Sequence, residues 1–178
     1  MDDIRTDRLI LKALKSTYAD LIFPIWNDEE AMKYTYIHSI DSLESCKNRL
    51  LRMIEGSETR NDVGPYAIFL HDELIGIVSG HQQSLTEYAL WYHLSRKHWG
   101  YGYATEASKA VVDAIFLNPQ VMRISAEAVT TNPASSRVLE KLGMKKEGCL
   151  RMKFQRKGVF RDFDSYSIIR NDYAGFIS

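Results

Sequence analysis

The chain has 178 residues, 45% apolar and 26% charged, which fits one domain with a sizeable core, spanning 1–178. Lys plus Arg number 23 and Asp plus Glu number 23, so the net charge is zero and no direct nucleic-acid binding is expected. No apolar run reaches the length of a membrane span, and the acidic start Met1-Asp2-Asp3 lacks the layout of a signal peptide. Cys46 and Cys149 stand too far apart for a metal motif and read as free thiols of a cytoplasmic protein.

Residues 8–14 read as a strand, with Leu9, Leu11 and Ala13 alternating against Arg8, Ile10 and Lys12. Residues 18–26 carry Leu21, Ile22 and Ile25 at helical spacing, and Asp28-Glu29-Glu30-Ala31-Met32 suggests a short second helix. A longer helix over 42–55 has Ser42 as its cap and Leu43, Leu50, Leu51 and Ile54 as its apolar stripe; Ser45 stands where a capping box prefers Glu. The period then falls to two. Residues 66–70 and 74–79 form strand-like runs around His71-Asp72-Glu73, a hairpin signal. Residues 88–94 are apolar on both faces, as a central strand is.

Residues 102–117 read as a helix that buries Ala107, Ala110, Val111, Ala114 and Ile115, and 123–130 as a strand. The helix over 132–142 has clear ends: Asn132 suits the N-cap, Pro133 the first helical position and Gly143 the stop. Strands over 144–154 and 162–169 close the chain around the turn Gln155-Arg156-Lys157-Gly158. This order predicts a mixed α/β (α+β) domain with a largely antiparallel sheet and at least one crossover.

The segment Trp99-Gly100-Tyr101-Gly102-Tyr103-Ala104-Thr105-Glu106-Ala107 carries most information. Glycine tolerates positive φ and lets the backbone approach a bulky ligand. The first amides of a helix lack partners and sit at the positive end of its dipole. Such a loop holds a pyrophosphate through N–H groups alone. A plain glycine-rich turn before an Ala-rich core helix has the same pattern, so this segment by itself leaves both readings open. No Lys-Ser or Lys-Thr follows the last glycine, which excludes a Walker loop. The spacing excludes a dinucleotide fingerprint.

Downstream stands Asn132-Pro133-Ala134-Ser135-Ser136-Arg137-Val138-Leu139-Glu140-Lys141-Leu142-Gly143-Met144. With the glycine loop, it resembles the GNAT superfamily of acetyl-CoA-dependent N-acetyltransferases, and more closely the branch of the ribosomal-protein N-terminal acetyltransferases RimJ and RimL. Thr6-Asp7-Arg8-Leu9-Ile10-Leu11, Trp26-Asn27-Asp28, Leu150-Arg151, Lys157-Gly158 and Asp162 match that branch, so the resemblance covers about residues 4–173.

The resemblance implies a twisted, mostly antiparallel sheet with helices on both faces. Its fourth and fifth strands, here 88–94 and 123–130, would splay apart around acetyl-CoA, with no metal. The backbone near Leu94 would bind the pantetheine arm. The amides of Trp99, Gly100, Tyr101, Gly102, Tyr103, Ala104 and Thr105 would bind the pyrophosphate. Asn132 and Ser135, three apart on one helical face, would approach the sulfur. Lys141, Arg96 or Arg137 would meet nucleotide phosphates, unless they are solvated charges. Two positions depart from the common pattern. Trp99 stands where many members have Gln or Arg, as it often does in this branch. Leu139 stands where many carry a Tyr general acid, and Ser135 is the nearest replacement.

An amine attacks only when neutral, so the site must take a proton from it. Glu87, Glu127 and His93 are candidates, each with an ordinary alternative: a turn carboxylate, a solvated strand face and a core imidazole. Glu87 is preferred, because glutamates near this strand serve as bases in several relatives. The expected catalytic set is therefore Glu87, Ser135 and Asn132. A backbone N–H near Leu94 would steady the developing oxyanion. Trp26, Tyr34 and Tyr36 are acceptor-pocket candidates, although aromatics at this spacing also build cores. The acceptor would be a primary amine, on a protein N-terminus or a small molecule; the sequence has no clear acidic cluster to favour a polyamine. Two alternatives stay open: a non-catalytic acyl-CoA-binding sensor, which the missing Tyr favours and Asn132 and Ser135 oppose, and a protein binding another nucleotide through Gly100 and Gly102. A homodimer near the last two strands, as exposed edges, is the assembly this reading leans to.

Overall fold

Alternating apolar residues build strands from both ends of the chain, and helices at 3.6-residue periodicity cover them. The computed structural model describes residues 2–36 and 40–174. In chain order the elements are β1 (Ile4–Arg5), β2 (Leu9–Ala13), α1 (Ala19–Trp26), α2 (Glu29–Met32), α3 (Leu43–Arg60), β3 (Val63–Leu70), β4 (Glu73–Ser84), β5 (Glu87–Leu94), α4 (Tyr103–Phe116), β6 (Arg123–Val129), α5 (Pro133–Lys141), β7 (Lys145–Arg156), β8 (Val159–Ile169) and α6 (Arg170–Ala174). One sheet runs in the order β1-β2-β3-β4-β5-β6-β8-β7. Each neighbouring pair is antiparallel except β5 and β6, which are parallel and joined by the α4 crossover.

Two cores sit on opposite faces of this sheet, as its strand alternation requires. Ile68, Leu90, Val111, Ile115, Ile124 and Leu139 belong to the face covered by α4 and α5. Ile22, Trp26, Met32, Leu50, Phe69 and Ile77 belong to the face covered by α1 and α3. Helices thus lie on both faces, as the family pattern implies. The two-residue β1 and the closing α6 are too short to announce themselves in the sequence. Helix α3 runs past the expected end at 55 to Arg60, where Asn61 stops it at φ 56°. Only β7 of the last two strands is an edge, because β8 lies between β6 and β7.

The parallel junction matters most for the site. β5 and β6 pair only at Glu87↔Arg123, Tyr88↔Ile124 and Ala89↔Ser125. Beyond that point β5 stays bound to β4 as far as Gly76↔Leu94, and β6 to β8 as far as Val129↔Phe163. Each strand is held by its outer neighbour, so the sheet opens between them rather than fraying.

Candidate active site

A cleft of about 420 Å³ occupies this opening. One wall is 90–94 of β5 and the other is 126–129 of β6; the glycine loop, the first turn of α5, Tyr34, Tyr36 and Phe163 complete it.

At one end the chain offers backbone. Trp99 Nε1 donates to Leu94 O at 2.9 Å and ties the loop to the end of β5. Gly100 and Gly102 lie at φ +85° and +83°, which side-chain-bearing residues rarely adopt. Glu106 N donates to Gly102 O at 3.0 Å as the first bond of α4, so the amides of Tyr103, Ala104 and Thr105 have no partner within the helix. A brace from the N-terminus fixes this loop. Arg8 donates from Nε to Glu106 Oε2 at 2.7 Å and from a second guanidinium nitrogen to Tyr101 O at 3.0 Å. Thr6 Oγ1 donates to Glu106 Oε1 at 2.6 Å, and the Arg8 guanidinium lies 4.5 Å from the centre of the Tyr103 ring. Burial would raise the Glu106 carboxyl, but these hydrogen bonds outweigh it and hold the group below the usual carboxylate range. Thr6 and Arg8 thus support the loop, a role their sequence position did not reveal. Arg137 and Lys141 also line the cleft. Arg96 does not; its guanidinium binds Asp28.

At the other end the chain offers side chains from separate elements. Asn132 caps α5, its Oδ1 accepting from Ser135 N at 3.3 Å. The Ser135 hydroxyl lies 2.8 Å from the phenol of Tyr92, which reaches it from β5. Burial pushes that phenol up to about 12. Leu139 is 1% exposed, packed in the core rather than lining the cleft. Sequence reading passed over Tyr92; its period-two position beside Leu90 and Leu94 was the signal that it faces α5.

Of the three base candidates, Glu87 lies outside the cleft. It opens β5 at the closed end of the junction, where Arg123 Nε donates to it at 3.1 Å. Arg123 also forks onto Glu147. Glu127 does line the cleft. Ile124, Ala126 and Ala128 face the α4 core, which turns Glu127 to the other side of β6. Its two oxygens accept close hydrogen bonds from the Tyr36 phenol and from Lys153 Nζ. Burial first, then Glu127, push the Tyr36 phenol above its ordinary range. The Tyr36 ring stacks on Phe163 with centroids 4.4 Å apart. His93 also lines the cleft and is 6% exposed; burial pushes its imidazole down to about 4. Its Nε2 finds no hydrogen-bond partner among the described residues. Trp26, expected near the acceptor, is fully buried in the α1–α3 core instead. No cluster of three or more metal-ligating side chains occurs among the described residues.

The acetyltransferase (GNAT) domain family matches residues 8–145, most of this chain. The chain belongs to the GNAT acetyltransferase family. It is 29% identical to the uncharacterized N-acetyltransferase p20 of Bacillus licheniformis, over 98% of this chain and 100% of that protein. Among solved structures it is similar to the Salmonella typhimurium acetyl transferase that modifies the N-terminal serine of ribosomal protein L7/L12. That TM-score is 0.84, with 18% identity over 94% of this chain and 99% of that one. It is also similar to the spermidine N-acetyltransferase of Vibrio cholerae, solved with CoA and spermine. There the TM-score is 0.81, with 19% identity over 95% of this chain and 99% of that one. At such identities the likeness is one of fold.

As a GNAT protein the chain is an acetyl-CoA-dependent N-acetyltransferase. Its cleft fits that co-substrate on its own evidence. The glycine at 100 leaves open space where a Cβ would stand, and the helix amides beside it suit an anion. A narrow gap between strands suits a thin pantetheine arm. No helix of the described residues is long and apolar enough to cross a membrane.

Proposed function

We propose that this GNAT enzyme acetylates a single primary amine by direct attack, with the α-amine of a protein N-terminus as the preferred acceptor class. One observation carries the reading: a backbone anion cradle and one side-chain carboxylate, Glu127, share the cleft where β5 and β6 part. The amides of Trp99, Gly100, Tyr101, Gly102, Tyr103, Ala104 and Thr105 hold the pyrophosphate. Lys141 and Arg137 meet the nucleotide phosphates, and the Leu94 backbone guides the pantetheine arm. When bound, acetyl-CoA supplies a thioester carbon for the amine to attack. Glu127 attracts the ammonium and takes its proton, in place of Glu87, which lies outside the cleft. Ser135, held in the turn that Asn132 caps, faces the departing sulfur. The N–C bond forms as the C–S bond breaks, and the electron pair leaves on sulfur.

Charge supports one amine rather than several. Glu127 is the one carboxylate among the described cleft-lining residues, and Lys153 already offsets it. A polyamine would bring several positive charges to a wall of Trp91, Tyr34, Tyr36 and Phe163. Acidity points the same way. An α-amine with a pKa of about 7.7–8.0 is roughly one-tenth neutral at pH 7, whereas a lysine-type amine near 10.4 is neutral in roughly one molecule in two thousand. A glutamate, a modest base, suits the first. The test is thiol release from acetyl-CoA with a panel of peptides, monoamines and spermidine. We expect peptides with a free N-terminus to give the highest kcat/KM. A best rate with spermidine would reverse the assignment of acceptor. Binding of acetyl-CoA without turnover of any amine would make the protein a sensor.

A further inference from the structure

We propose that Tyr92 is a positioning residue of the transfer step, whose phenol locks the Ser135 hydroxyl into donating to the departing thiolate. The inference rests on the acetyl-transfer reading above and adds to it the second wall of the cleft.

A serine hydroxyl in the first turn of a helix has three rotamers and nearby backbone acceptors, so by itself it aims at nothing in particular. Here it meets a phenol at 2.8 Å. The phenol's other contact is the Ser135 carbonyl at 3.3 Å, so both of its polar contacts go to one residue. The shorter contact is the better place for the phenol proton. With Tyr92 donating to Ser135 Oγ, the Ser135 proton is free to point into the cleft that both residues line. A hydroxyl that accepts a hydrogen bond also donates a stronger one.

The acidities decide between two roles for this pair. Burial raises the Tyr92 phenol above its ordinary range, to about 12, so the phenol holds its proton and acts as a hydrogen-bond donor. The chain Tyr92, Ser135, sulfur therefore stabilises a thiolate by hydrogen bonding and does not protonate it. Solvent protonates the released thiol, and the amine proton leaves through Glu127. Position 139 on α5 cannot offer a phenol from the helix side, since Leu139 is committed to the core. Tyr92 supplies one from the strand side.

The experiment is a double-mutant cycle on the intact chain: wild type, Tyr92→Phe, Ser135→Ala and the double variant. Each is read by kcat, KM for acetyl-CoA and melting temperature. Tyr92→Phe removes one oxygen and keeps the ring, so the melting temperature reports whether the fold survives. We expect kcat to fall about tenfold in Tyr92→Phe with KM for acetyl-CoA almost unchanged, the mark of an interaction made in the transition state. The double variant should be no slower than Ser135→Ala, because Tyr92 works only through that hydroxyl. Ser135→Thr, which leaves Tyr92 intact and keeps a hydroxyl, should retain most of the rate that Ser135→Ala loses. Wild-type kcat in Tyr92→Phe, multiplying effects in the double variant, or equal losses in Ser135→Thr and Ser135→Ala would each overturn the proposal. Absence of amine-dependent thiol release in the wild type is a different failure, and it would take down the acetyl-transfer reading itself.

Discussion

The two ends of the cleft are built from different materials. The cradle end is backbone: two glycines at positive φ and the first amides of α4, steadied by Arg8 and Thr6. The reacting end is side chains brought together from β5, β6, α5, β7 and the segment after α2. Backbone amides carry no side-chain identity, so the proposed anion binding there rests on geometry. The reacting end depends on which atom stands where, and a substitution of one functional group there has no backbone to fall back on.

The sharpest way to test this contrast is at the two glutamates. Glu127→Gln keeps the shape and removes the proton acceptor, and loss of a general base typically costs about 10²–10⁴ in rate. We expect kcat to fall within that range while acetyl-CoA still stabilises the protein against heat. Glu87→Gln should leave kcat within about twofold of wild type, because the side chain serves the Arg123 network outside the cleft. Equal effects in steady-state assays of the two variants would overturn the choice of Glu127 over Glu87 and leave the reacting end without its base. The second effect is at the cradle. A ligand at a hundred times its dissociation constant adds about 2.7 kcal/mol to stability. Gly102→Glu places an anion beside the amides and should abolish that gain in a thermal-shift assay with acetyl-CoA. Gly102→Ala imposes only the cost of φ +83° on a residue with a Cβ. It should lower the melting temperature and keep most of the gain; if Ala abolishes the gain as fully as Glu, conformation rather than charge governs the cradle.

The same contrast explains what could be read from the sequence. The cradle is local: its glycines and the start of α4 lie within one short window, so the candidate loop can be found from backbone chemistry. Helix α5 was legible at both ends for the same reason, with Asn132 before Pro133 and Gly143 after Leu142. The choice between Glu87 and Glu127 was not, because it depends on where β5 stops pairing with β6. That register joins residues 36 apart in the chain, and no local pattern records it. Tyr92 and Ser135 are 43 apart and on different elements. Trp26 sat at a plausible spacing for a pocket wall, yet the core between α1 and α3 claimed it. Leu139 is the reverse: the absence of a phenol at that position was visible, but the phenol that Tyr92 brings to Ser135 from the opposite wall was not.

The smallest predicted effect tests how dry the reacting end is. His93 is buried beside the cleft, with its pKa lowered to about 4 by burial, an effect only partly offset by Asp28. In the unfolded chain a histidine titrates near 6.5. Between those two values the unfolded state holds a proton that the folded state refuses, so stability falls as the pH falls from about 6.5 toward 4. Above 6.5 both states are neutral and the group contributes no slope. By pH 5 the loss amounts to about 2 kcal/mol, since each unit of difference is worth about 1.4. We expect the melting temperature of the wild type to drop between pH 7 and 5, and His93→Gln, which cannot take the proton, to drop less over the same interval. Parallel curves for the two proteins would mean that the imidazole is hydrated. The dry surroundings of His93 would then be wrong, while the backbone amides of the cradle, which do not titrate, would be untouched.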